Sequence, residues 1–162
     1  MSTSSPSTPA TLALEAAGVP YRSHTYDHDP RATSFGLEAS EKLGIAAERV
    51  FKTLMVDVDG ELVVAVVPVS GRLDLKEVAR AVGGKRAVMA DPALAQRRTG
   101  YVLGGISPLG QKMSHRLVLD TSAILQEAIL VSGGRRGFDV ELAPDALLTV
   151  CGGDYADIAT AG

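Results

Sequence analysis

Residues 50–68, VFKTLMVDVDGELVVAVVP, constrain the fold of this chain more than any other stretch. Two apolar, β-branched runs flank Asp59-Gly60, a dipeptide that accepts the positive φ angles of a two-residue hairpin turn. The segment therefore reads as two long antiparallel strands. Alternation along the first strand puts Lys52 on the same face as Val50, Leu54 and Val56. An extended ammonium in an apolar row either snorkels at a sheet edge or lines a cleft that takes an anion.

The rest of the chain arranges around that hairpin. A Ser/Thr/Pro tail over residues 1–8 predicts disorder, and Pro9 opens a helix over ATLALEAAG that stops at Gly18. YRSHTYDHDP reads as a short strand ending in a polar turn, and TSFGLEASEKLG as a helix closed by Gly44. LDLKEVARAVGG sets Leu75, Val78, Ala79 and Val82 on one helix face, RAVMA is a brief strand, and Asp91-Pro92 starts a helix over ALAQRRT. The last third reads as loop GYVLGGISPLGQ, strand HRLVLD, helical turn TSAILQ, strands EAILVSGG and GFDVELAP, and a helical piece PDALLTV. Strands join as hairpins more often than they alternate with helices. That predicts a single α/β (mixed α+β) domain over residues 9–162, with a mixed, barrel-like sheet of about six or seven strands surrounded by helices.

At 162 residues and 46% hydrophobic content, one well-buried core is the simplest arrangement. No run approaches the roughly 18 apolar residues of a membrane helix, and MSTSSPSTPA lacks the regions of a secretory signal, so the expected location is the cytoplasm. The single cysteine, Cys151, excludes an internal disulfide and a cysteine metal cluster, and reads as a small buried hydrophobe near a helix end. A net charge of −3 offers no footprint for wrapping long nucleic acid; the basic pairs Lys85-Arg86, Arg97-Arg98 and Arg135-Arg136 read first as solvated faces.

Several standard chemistries fail on particular residues. Gly105 and Gly110 have the spacing of a phosphate-binding loop, but Gln111 stands where that motif needs lysine and Pro108 removes an amide donor. Gly105-Ile106-Ser107-Pro108 breaks a serine nucleophile elbow by placing proline after the serine. His24 and His28 lie in a strand and its polar turn, and His115 begins another strand, rather than all on one helix face, so no metal and no cofactor are expected. By contrast VSGGRRGFD carries three glycines in five residues, Gly133, Gly134 and Gly137, more than a tight hairpin requires; this suggests close approach of backbone to a ligand.

Lys52 in FKTLMV, the loop GYVLGGISPLGQK and VSGGRRGFDVELAP, in that order and spacing, resemble the YbaK/EbsC family, and within it the Cys-tRNA(Pro) deacylases. The likeness takes in Tyr26 and Phe35 and covers nearly the whole chain after the tail. It implies a single-domain fold shared with the editing domain of some prolyl-tRNA synthetases, and a trans-editing enzyme that removes cysteine wrongly attached to proline tRNA. The implied pocket consists of Lys52, the G-x-x-x-P loop Gly104, Gly105, Ile106, Ser107 and Pro108, then Ser132, Gly133 and Asp139, shaped by Tyr26, Phe35 and Tyr101. Met113 and Phe138 depart from the residues expected at their positions.

The resemblance also implies a mechanism in which the substrate's own thiol attacks its ester carbonyl, so the protein supplies orientation and charge stabilisation. Amides of the glycine loop would meet the oxyanion, Lys52 a terminal phosphate or ribose, and Ser132 and Asp139 the aminoacyl amine or ribose hydroxyls. Lys52, Gly104, Ser132 and Asp139 are the catalytic candidates. Two other readings stay open: an alanine-specific or other aminoacyl-tRNA deacylase, and a non-catalytic module that binds aminoacyl-tRNA or a synthetase. The expected partners are the tRNA acceptor end and prolyl-tRNA synthetase, with the protein itself a monomer.

Overall fold

The computed structural model describes residues 6–161. In chain order the elements are α1 (Pro9–Ala16), β1 (Arg22–Thr25), α2 (Phe35–Leu43), β2 (Phe51–Val58), β3 (Glu61–Pro68), β4 (Gly71–Leu73), α3 (Leu75–Ala81), β5 (Ala87–Met89), α4 (Pro92–Thr99) and β6 (Arg116–Asp120). A 3₁₀ turn (Thr121–Leu125) follows, then β7 (Ile129–Arg135), β8 (Phe138–Leu142), α5 (Pro144–Cys151), β9 (Asp154–Ala156) and β10 (Ala159–Ala161).

The hairpin forms as read. β2 and β3 pair from Phe51 against Pro68 to Val58 against Glu61, and Asp59 and Gly60 have φ of 52° and 93°, the two positive angles of a type I′ turn. β3 is buried almost throughout because it sits between two apolar layers. Leu62, Val64 and Val66 join a core with Phe51, Met55, Leu117, Leu119 and the inner face of β7 and β8. Val63, Ala65 and Val67 join a second core with Val56, Val58 and the α3 residues Val78 and Ala79. A strand covered on both faces needs a continuous apolar run rather than alternation, which is what ELVVAVVP provides.

The principal sheet is mixed, in the order β5-β2-β3-β6-β9, and a three-stranded antiparallel sheet β1-β8-β7 packs beside it. A parallel bridge between Val50 and Leu130 joins the two. The sheets do not close into a ring among the described residues, so the barrel likeness is a loose one. Ten strands replace the expected six or seven. The additional ones include three-residue pieces such as β4, β9 and β10, too short to show an apolar period in sequence.

The predicted disorder of residues 1–8 is corrected at its end. Thr8 is buried, caps α1 through a reciprocal box with Thr11, and donates its hydroxyl to the Gly133 carbonyl at 2.6 Å. A cap of this kind fixes the first turn and satisfies orphan amides. Residues 1–5 lie outside the described residues.

Candidate active site

The cavity begins as a gap in strand pairing. Just before β2, the Arg49 carbonyl accepts the Leu130 amide at 2.9 Å; at the other end the Met55 carbonyl accepts the Ala90 amide at 3.1 Å. Between these two bonds the outer edge of β2 faces neither β7 nor β5, and a cavity of about 440 Å³ opens there. Its floor runs from Val50 to Met55. Met89, Ala90, Pro92 and Ala95 form an apolar side, Leu103, Gly104 and Ile106 a loop wall, and Ser34 to Gly36 with Ala39 a further wall that adjoins the loop. Tyr26, Ser132 and Asp139 close the polar end.

Each polar group has a definite environment. Lys52 is half-buried, its Nζ 3.4 Å from the Gly71 carbonyl, and burial first, then Arg72, holds its pKa below the ordinary lysine value. Ser132 and Asp139 are directly opposed on β7 and β8, so their side chains share one face. The Ser132 hydroxyl accepts the Gly134 amide at 3.2 Å. Asp139 is 7% exposed, and burial pushes its carboxyl up to about 7. Tyr26 is pushed above its ordinary value by burial, then by Asp139 and Glu38.

Phe35 and Gly104 meet at one contact. A Cβ on Gly104 would stand 2.8 Å from both the Phe35 Cζ and the Arg136 Nε, and Gly104 has φ of 83°. Arg136 donates from Nε to the Leu103 carbonyl at 2.8 Å and lies 5.0 Å from the Phe35 ring centroid. This guanidinium therefore holds the glycine loop and the aromatic wall together.

Five expected pocket residues lie behind the wall instead. Tyr101 donates its hydroxyl to the Leu109 carbonyl at 2.5 Å. Ser107 is fully buried; its hydroxyl oxygen accepts the Leu109 amide at 3.1 Å. Pro108 offers its carbonyl to the Cys151 thiol, which terminates α5. Gly105 packs on the Arg135 backbone, where a Cβ would lie 2.8 Å from its Cα, and its amide goes to the Val102 carbonyl at 2.9 Å. Gly133 makes room for the buried Phe138 ring, 2.4 Å from where its Cβ would be. The glycines of VSGGRRGFD are therefore explained by internal packing and by the bulge between Ser132 and Arg135, correcting the inference of backbone approaching a ligand. Of the loop, Gly104 and Ile106 reach the cavity, and their amides have no partner among the described residues.

The histidines are engaged in pairs: His24 with Glu141 at 2.8 Å, His28 with Glu38 at 2.7 Å and His115 with Gln111 at 2.7 Å. Glu38 is buried on α2 and also accepts the Asp29 amide at 2.7 Å and Lys42 at 3.2 Å. Burial raises its pKa, yet the Asp29 amide, His28 and Lys42 outweigh that and hold it below the ordinary glutamate value. Glu38 thereby pins the segment that carries Phe35. Sequence reasoning missed Glu38, Met55, Met89 and the role of Arg136. Only Arg136 had a visible signal, the basic pair in a glycine turn.

The aminoacyl-tRNA editing domain matches residues 28–150. The chain belongs to the aminoacyl-tRNA editing family. It is 39% identical over 155 residues to EbsC of Enterococcus faecalis, named as a proposed Cys-tRNA(Pro)/Cys-tRNA(Cys) deacylase, covering 94% of this chain and 93% of that one. It is 32% identical over 100 residues to a proline–tRNA ligase of Maridesulfovibrio salexigens, covering 62% of this chain and 17% of the ligase. A crystal structure titled as a proposed trans-editing enzyme for prolyl-tRNA synthetase superposes with a TM-score of 0.80 at 24% identity, over 96% of this chain and 99% of that one. The editing fold is thus carried as a whole domain, and no helix among the described residues is long and apolar enough to cross a membrane.

Proposed function

We propose that this protein removes cysteine from Cys-tRNA(Pro) by letting the substrate's thiol attack its own ester. One observation carries the reading: no hydroxyl that lines the cavity is hydrogen-bonded to a basic side chain among the described residues. No histidine or cysteine is among the residues that line it. Cys151 lies elsewhere, with burial pushing its thiol up to about 11. Attack by the substrate sulfur forms a C–S bond, breaks the C–O bond to the terminal ribose, and leaves the thiol proton on the departing ribose oxygen. The products are free tRNA and a cyclic thioester of cysteine.

The cavity's part is orientation, which for an intramolecular attack is worth several kcal/mol of barrier. The Gly104 and Ile106 amides stand at the wall where a carbonyl oxygen gains charge, and the loop behind them is braced by Ser107, Tyr101 and Pro108. Lys52 reaches the terminal phosphate or ribose. The near-neutral chain contacts a tRNA end rather than its body, and a complex with prolyl-tRNA synthetase supplies selection of proline tRNA. On this reading the protein is a cytoplasmic monomer.

The test is a deacylation panel with Cys-, Ala- and Ser-tRNA at substoichiometric protein. Preferential, multiple-turnover release of cysteine is expected. Preference for alanine or serine would mean water attack assisted by the tRNA hydroxyl, and binding without turnover would mean a non-catalytic module. Lys52→Ala should lower kcat/KM by about 10- to 100-fold, the size of one charged hydrogen bond. Full activity in that variant would remove Lys52 from the site.

A further inference from the structure

Asp139 differs from the buried and half-buried carboxylates Glu38, Glu141 and Asp120. Glu38 takes His28, Lys42 and the Asp29 amide. Glu141 takes His24 and Arg49 at 2.8 and 2.6 Å. Asp120, also buried, accepts the amides of Ser122, Ile158 and Ala159. The Asp139 carboxylate, 7% exposed and lining the cavity, has neither a hydrogen-bond donor nor a cation among the described residues. Its cross-strand neighbour His24 is committed to Glu141. Lys52, the cation of the cavity wall, is directed to Gly71.

We infer that the polar end of the cavity receives the free α-ammonium group of the aminoacyl ester, with Asp139 as its counter-ion, so the protein acts on unblocked aminoacyl-tRNA and passes over N-acylated forms. This rests on the editing reading above and specifies its substrate class. A buried, unpaired carboxylate is costly, and a neutral ribose hydroxyl would leave its charge uncompensated. The α-ammonium is the cation that a cysteinyl ester offers, and an α-amino group of ordinary pKa about 7.7 to 8.0 carries it near neutral pH. Its three N–H donors match the acceptors carried by three cavity-lining side chains: Asp139, Ser132 directly across the strand pair from it, and Tyr26. Acylation of the amine removes the charge and two donors while leaving thiol and ester intact.

The rival role for Asp139 is a base that takes the thiol proton, and one experiment separates the two. Wild type and Asp139→Asn are assayed on Cys-tRNA, N-methyl-Cys-tRNA and N-acetyl-Cys-tRNA, or on the same three forms of whichever amino acid the panel selects. Wild type should prefer the free amine to the acetylated form by about a hundredfold, the cost of unpairing a buried charge. N-methylation, which adds bulk but keeps the charge, should cost far less. In Asp139→Asn the preference should collapse to about threefold or less, through loss of activity on the free amine. Equal wild-type rates on free and acetylated substrates, or an equal loss on both in the variant, would overturn the inference. If no aminoacyl-tRNA is cleaved, the editing reading fails. Binding of a 3′-amide-linked cysteinyl adenosine, free or acetylated, then decides the ammonium site by itself: equal Kd values reject it.

Discussion

Gly104→Val is expected to lower kcat/KM for the edited aminoacyl-tRNA by about a thousandfold or more. Two separate effects act at this position. The φ of 83° is left-handed, a region that a β-branched side chain occupies only with strain. The new Cβ would also stand 2.8 Å from the Phe35 Cζ and the Arg136 Nε, so the clasp formed by the Arg136 guanidinium, the Phe35 ring and the Leu103 carbonyl must open. Opening it moves the Gly104 and Ile106 amides away from the carbonyl, and a displacement near 1 Å costs about a hundredfold before the loss of an oxyanion donor is counted. Gly18→Val separates the two effects, because Gly18 shares a positive φ of 68° but has nothing within 4 Å of its Cβ position. That control should lose about 1 to 2 kcal/mol of stability and keep its activity. Wild-type kcat/KM in Gly104→Val would reduce the loop to a structural role.

How much of this site is legible in the sequence depends on the range of each interaction. The β2–β3 hairpin is local: its turn residues and apolar runs are adjacent in the chain, so its register and the face of Lys52 follow directly. Ser132 and Asp139 are also visible, because a strand leaving an apolar run for polar positions marks a rim. The gap along β2 is not legible, since it arises from β5 and β7, distant in sequence, pairing with opposite ends of one strand. For the same reason Met89 looks like an ordinary strand residue, and Glu38 like a solvated helix position, until α2 is seen packed over Val50 and Leu130. In the sequence the G-x-x-x-P loop reads as one pocket-lining stretch. In the fold it has two sides, with Gly104 and Ile106 on the cavity and Gly105, Ser107 and Pro108 bracing them from behind. Spacing alone cannot assign the sides, because the loop has no regular period.

Asp139→Asn should stabilise the folded protein while removing its preference for a free amine. With the carboxyl at about 7 in the fold and at its ordinary 3.8 when unfolded, the folded state binds the more protons between those values. Its stability is then fully present below pH 4 and lost as the pH rises through 7. A displacement of that size corresponds to about 4 kcal/mol once the group is ionised. Asparagine keeps the shape and removes the charge, so the variant should unfold several degrees higher at pH 8, at about 2 to 4 °C per kcal/mol. The gap between variant and parent should widen as the pH is raised from 5 to 8. A gap of the same size at both pH values would mean that the substitution acts through packing, and the carboxylate would no longer count as an uncompensated charge. Widening, together with lost amine discrimination, would show one group destabilising the free protein for the sake of a cation it meets in the substrate. In the Asp139→Asn variant stability and activity therefore move in opposite directions, as expected where a binding site is held unpaired until its ligand arrives.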